Sequence, residues 1–282
     1  MAYSQCRKKA CPPNLVMFSL YFNFIRMKRY TALLISILVS GLFCTKTYSV
    51  CGQTIRVAVA ANAQFVTQAL KTSFEKKSRA KIELIVSSSG KLTAQITHGA
   101  PYDIFLSADM KYPENLYKAG YTLNKPQVYA YGSLVLWSLG DINMKEGPDV
   151  LKSSSVRTIA VANPATAPYG IAAIQVLKKS GIYDAVKDKI VYGESIAQVN
   201  QYLLTGVADI AFTAKSVVKA PRLAHKGNWI ELVDTLYSPI RQGAVILKHA
   251  KDNNLQAVKD FYQFLSDPEG KSIFKSYGYS VK

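Results

Sequence analysis

From residue 54 onward the chain alternates short β-branched runs with longer segments of helical period, and each passage from run to segment is made of small or polar residues. "TIRVAVA" (54–60) leads through "AAN" into "NAQFVTQALKTSFEKKS", where Phe65, Val66, Ala69, Leu70 and Phe74 fall on one helical face and Asn62 stands where an N-cap belongs. "KIELIVS" (81–87) leads through "SSSG" into a segment carrying Leu92 and Ile96, which Gly99 and Pro101 terminate. "YDIFLSAD" (102–109) reads as a third strand, with Pro113 placed to open the next helix. Strand followed by helix, repeated, predicts an α/β fold built on mixed, mostly parallel sheets.

After "GSLVLWS" (132–138) a second set begins. "RTIAVANPATAPYGIAAIQVLKKSG" predicts a strand over 158–162, a Pro-bracketed loop and a helix over about 169–180. "KIVYGESIAQVNQYLLTG" and "ADIAFTAKSVV" repeat that order, "GAVILK" is a late strand, and the chain ends in helical sequence; no tandem repeat is visible. One set of units, a second set and a late return predict two α/β lobes joined by crossing strands, residues 53–134 with 239–282 forming one and 135–238 the other. Ligands of such sheets sit beyond the carboxyl ends of the strands, where helix N-termini point. The turns there are "AAN" (60–62), "SSSG" (87–90), "APYG" (167–170) and "ESI" (194–196). "SSSGKL" is not a nucleotide loop, because Ile85 and Leu92 stand where a phosphate loop needs Gly and a hydroxyl. A small polar turn at a helix start binds anions without a nucleotide.

The formal charge of +17 suggests a polyanionic partner until the first 52 residues are set aside. They hold seven Lys or Arg and no acid, leaving 17 − 7 = +10 spread among acids on the rest, with no recognition helix. Nucleic acid is therefore not an expected partner. From Met27 the sequence has a basic start, an apolar run (31–44) too short to span a membrane comfortably, and a polar end. Residues 27–52 are thus expected to be a signal peptide directing export to the periplasm, and residues 1–26 a non-native extension upstream of the true start. All four cysteines lie in this leader, and Phe43 and Val50 are poor neighbours for a lipid-anchored Cys, so cleavage without an anchor is expected. The three histidines, His98, His225 and His249, are scattered outside any metal-ligand spacing, and no G-x-S-x-G elbow occurs, which argues against an enzyme.

Taken in order, "VAAN", "SSSGKL", "HGAPYDIFLSAD", "NPATAPYG" and "FKSYGY" resemble the ModA family, the molybdate-binding periplasmic proteins of ABC importers, over residues 54–282. The resemblance implies a type II periplasmic-binding-protein fold whose two lobes close on a tetrahedral oxyanion. It implies molybdate, and with it tungstate, as cargo rather than cofactor, held as an intact oxyanion without direct metal ligands. A protein tuned to tungstate, sulfate or another oxyanion is the alternative, and an enzyme a remote one. An importer permease with its ATPase is the implied partner, and the binding protein is expected to be a monomer. By residue, the resemblance implies ligand contacts from Ala61, from Asn62 by side chain or amide, from Ser89 by hydroxyl and N–H, and from the N–H groups of Tyr169 and Ile196. Phe212 stands where many members carry a Tyr donor, so either Asn62 supplies that bond or the site is weaker. Lys91 and Glu194, beside two of the turns, are each expected to be solvated first-turn residues.

Overall fold

Residues 54–253 and 255–282 are described by the structure, a computed structural model. The expected extension (1–26), the signal peptide (27–52) and all four cysteines lie outside the described residues. Strand β1 (Thr54–Ala60) is buried on alternate residues at its start and on both faces from Val57 onward, which is why its sequence changes from alternating to continuous apolar. It pairs in parallel with β2 (Lys81–Ser87) and β3 (Ile104–Leu106). Strand β4 (Gln127–Gly132) closes the first sheet and β5 (Leu134–Ser138) opens the second, so the expected strand over 132–138 is divided at Ser133 between two sheets. Strands β6 (Ile159–Ala162), β7 (Ile190–Gly193), β8 (Ile210–Ala214) and β9 (Asn228–Glu231) complete the second sheet, and β10 (Ile240–Ile246) returns to the first.

The first sheet runs β2-β1-β3-β10-β4 and the second β7-β6-β8-β5-β9, with equivalent pairs parallel or antiparallel in the same places. Each sheet has two parallel and two antiparallel pairs, so parallel pairing makes up half of each sheet rather than most of it. The chain crosses between lobes at Gly132 to Leu134 and again between Glu231 and Ile240; Leu134 already belongs to the second sheet.

Helix α1 (Gln64–Lys77) follows β1 through a 3-10 turn at Ala61–Ala63, and α2 (Ser89–Thr97) follows β2. Helix α3 (Lys111–Lys118) contains Pro113 as its third residue, within the first turn where a missing N–H costs nothing. In the second lobe α4 (Pro168–Lys179) follows β6, α5 (Ile196–Leu204) follows β7 and α6 (Lys215–Val218) follows β8. Helices α7 (Leu255–Phe264) and α8 (Pro268–Ser276) pack back on the first sheet. On β3, Ile104 and Leu106 join the core beneath α1, α7 and α8, while Phe105 joins Leu92, Leu116 and Val245 on the opposite face, the period of two expected of a strand covered on both sides. Trp137, Phe212 and Tyr169 anchor the core of the second lobe.

An aspartate leads into the third strand of each lobe and holds the start of its parallel neighbour. Asp103 Oδ2 accepts from the Arg56 N–H at 2.8 Å, and Asp209 Oδ2 accepts from the N–H groups of Arg157 and Thr158 at 2.8 and 2.9 Å. Asp103 is fully buried and also meets His249 Nδ1 at 2.8 Å and Asn253 Nδ2 at 3.0 Å. Gly170 seats α4 on β6, because a Cβ there would lie 2.0 Å from the Ala162 carbonyl oxygen.

Candidate anion-binding cleft

The turns after β1, β2, β6 and β7 meet between the lobes. They enclose a small cavity lined by Ala60, Ala61, Asn62, Ser88, Ser89, Ala108, Ala167, Pro168, Tyr169 and Ile196. Its volume is about 10 Å³, room for about one water molecule, so a larger guest must part the lobes to enter. All five residues singled out in the sequence, Ala61, Asn62, Ser89, Tyr169 and Ile196, line it, and no lining side chain is charged. What the lining offers is helix starts. The first-turn N–H groups of Ser89, Tyr169 and Ile196, and those of the turn at Ala61 and Asn62, have no partner within their own helices. Each start carries roughly half a positive charge, so four of them supply about +2 without a Lys or Arg.

The serine run divides its labour. Ser88 caps α2, its Oγ accepting from the Lys91 N–H at 3.4 Å. Ser89 Oγ accepts from the Ala108 N–H at 3.0 Å, which leaves the Ser89 hydroxyl proton to be donated into the cavity. Ser195 repeats the capping role at α5, with the Gln198 N–H at 3.5 Å.

Asn62 is not the N-cap its position suggested, and of its two expected ligand contacts the side chain is engaged elsewhere. It lies inside the 3-10 turn, with no side-chain cap. Its Nδ2 donates to Gln242 Oε1 at 2.9 Å and to Tyr279 Oη at 3.2 Å, which uses both amide protons. The side chain therefore cannot replace a tyrosine donor, and what Asn62 presents to the cavity is backbone. Phe212 is buried in β8 opposite Leu136 and is absent from the cavity wall.

Two of the lining residues, Asn62 and Tyr169, belong to a largely buried polar cluster. Gln242 Oε1 also accepts from Tyr129 Oη at 2.7 Å, and Gln242 Nε2 donates to Tyr169 Oη at 3.3 Å. Tyr279 Oη donates towards Ser216 Oγ at 3.0 Å, and Ser216 Oγ donates to the Asn62 carbonyl at 2.7 Å. Burial pushes the Tyr129 and Tyr169 hydroxyls well above their usual range and raises that of Tyr279, so all three stay neutral beside the cavity.

The lobes touch across the cleft. The Gly90 N–H donates to the Thr166 carbonyl at 2.9 Å, and Tyr112 Oη to the Ala165 carbonyl at 3.3 Å. The approach needs glycine: a Cβ on Gly90 would lie 2.9 Å from Tyr112 Oη and 3.0 Å from Thr166 Cα. Lys91 and Glu194, each expected to be a solvated first-turn residue, are both exposed and pair with each other at 2.5 Å on the rim, Glu194 standing just before the Ser195 cap rather than in the first turn. Opposite charges beside facing turns were the available signal, and it is visible once the turns are known to meet. A larger groove of about 720 Å³ lies between α1 and Pro221 and Arg222, but it is open to solvent, and α1 is the one helix whose first residues, Gln64 and Phe65, line it.

The family described as bacterial extracellular solute-binding protein matches residues 55–280. The molybdate-binding protein ModA of Azotobacter vinelandii is 40% identical over 230 residues, 81% of this chain and 90% of that one. That of Rhodobacter capsulatus is 37% identical over 225 residues, 79% of this chain and 86% of its own. The solved structure of the Azotobacter vinelandii periplasmic molybdate-binding protein superposes with a TM-score of 0.75 at 33% identity, covering 81% of this chain and 99% of that chain.

Proposed function

We infer that this chain, which belongs to the ModA family of bacterial extracellular solute-binding proteins, captures molybdate and delivers it to an ABC importer without chemical turnover. The observation that carries the reading is the convergence of helix starts and the Ser89 hydroxyl on one cavity whose wall bears no charged side chain. Roughly two units of partial positive charge match a dianion. Donors without acceptors also sort the candidates. Phosphate at neutral pH carries a proton that would find no acceptor here, a costly burial. Sulfate has no such proton and is refused by size, since hydrogen bonds stretched towards a smaller ion weaken. Tungstate shares the charge and shape of molybdate and is accepted with it.

Ala61, Asn62, Ser89, Tyr169 and Ile196 hold the oxyanion through its oxygens, Asn62 through backbone alone. The ion is cargo, and the protein needs no cofactor. The protein works in the periplasm as a monomer, exported by residues 27–52, and docks on a permease driven by its own ATPase. Thermal unfolding of the exported body with molybdate, tungstate, sulfate and phosphate in turn tests this. At a hundred times its dissociation constant a ligand adds about 2.7 kcal/mol. Stabilisation by molybdate and tungstate alone is expected; a larger shift with sulfate or phosphate would overturn the assignment.

A further inference from the structure

Gln242 is 0% exposed and sits three residues into β10, where the returning crossing strand enters the first lobe. A lone polar side chain in so dry a place is costly unless every group is paired. Here the pairing is divided by lobe. Its Oε1 accepts from Asn62 and Tyr129, both of the first lobe, while its Nε2 donates to the Tyr169 hydroxyl of the second. Asn62 and Tyr169 are also among the residues that line the anion cavity. The other crossing strand makes room for this meeting: a Cβ on Gly132 would lie 2.1 Å from Tyr169 Oη and 2.6 Å from Gln242 Nε2.

We propose that Gln242 is a positioning residue which, through the Tyr169 hydroxyl, sets the separation of the two lobes' helix starts and thereby the preference for a large over a small tetrahedral dianion. The proposal rests on the oxyanion reading above and deepens it. A carboxamide suits the post because one end carries both an acceptor for the first lobe and a donor for the second. A glutamate would lose the donor and bury a negative charge behind an anion site; an aliphatic residue would leave the Asn62 and Tyr129 donors unpaired. The link joins a crossing strand to a residue of the cavity wall in the other lobe, so it acts on the distance between the two lobes' helix starts. Without it the lobes can settle closer around the smaller ion.

The test is a double-mutant cycle on the exported body. Molybdate and sulfate affinities are measured by calorimetry, and unliganded melting temperatures are recorded, for wild type, Tyr169→Phe, Gln242→Met and the double variant. Tyr169→Phe removes one oxygen and keeps the backbone donor. It is expected to weaken molybdate about three- to tenfold, as for one neutral hydrogen bond, and to narrow the molybdate-to-sulfate ratio by a similar factor. Gln242→Met is expected to do at least as much, and the double variant no more than Gln242→Met, since the hydroxyl acts through the carboxamide. A lower melting temperature with an unchanged ion ratio would reduce Gln242 to a packing residue and overturn the proposal, as would two effects that multiply independently. Should Gln242→Met fail to fold, the ion ratio of Tyr169→Phe decides alone. Wild type binding molybdate while Tyr169→Phe matches it on both ions sinks only this proposal; wild type binding neither ion sinks the oxyanion reading with it.

Discussion

The two lobes repeat one sheet order and one aspartate staple, yet they present different chemistry to the cleft. The first lobe offers a side-chain donor, the Ser89 hydroxyl, besides its backbone. The second offers the N–H groups of Tyr169 and Ile196, with the Tyr169 ring turned towards Gln242. The first half of the site is thus tuned by which residue stands there, and the second by where two helices begin. Substitutions of equal size should act unequally in the two lobes.

The staples should show the largest difference. Asp103 is fully buried and takes three donors, whereas Asp209 is partly exposed and takes two. Asp103→Ala is expected to cost about 3 kcal/mol of unfolding free energy and Asp209→Ala about 1.5, given the worth of hydrogen bonds to charged groups. Denaturant titration of both variants checks it, and equal losses would remove this asymmetry. In the site, Ser89→Ala should weaken molybdate by about 1.5 to 3 kcal/mol, roughly ten- to hundredfold; unchanged affinity in calorimetry would take Ser89 out of the site. Gly90→Ala tests the seam itself. Its Cβ meets Tyr112 and the Thr166 backbone, and overpacking of about 1 to 3 kcal/mol should appear as weaker molybdate binding in calorimetry. Ile196→Val, in the second lobe, should cost about 0.5 to 1.5 kcal/mol of stability as a buried methylene yet leave affinity almost untouched, because Ile196 serves through its N–H. A large affinity loss there would break the contrast between the lobes. Smallest is Lys91→Met, which breaks the exposed pair with Glu194 and should weaken binding by at most about 1 kcal/mol, an effect that added salt erases.

What could be read from sequence follows the same physics. Strands β1 and β2 were legible to the residue because both are dense in β-branched residues, although β2 is an edge strand in which only Ile82 is buried. Strands β4, "QVYAYG", and β9, "NWIE", escaped because each carries a single β-branched residue, Val128 or Ile230, too few for the run that marked the other strands. The third strand shrank to Ile104–Leu106 because Asp103 and Ser107, expected inside it, are engaged by backbone and side chains beyond the ladder. The five turn residues could be named because each sits at a strand-to-helix passage with a local signature, and the structure brings them to one cavity. Gln242 could not, being a single Gln in an apolar run, 180 positions from Asn62. Asn62 misled for a related reason: its side chain answers to that distant partner rather than to the helix it precedes.

The most direct measurement is anomalous diffraction at the molybdenum edge from crystals grown with sodium molybdate. The account predicts one peak in the cavity, its oxygens within hydrogen-bond reach of Ser89 Oγ and of the N–H groups of Ala61, Asn62, Ser89, Tyr169 and Ile196, with no lysine or arginine nitrogen touching it. A cavity without the peak, or an oxyanion held by ammonium and guanidinium groups elsewhere, would contradict it.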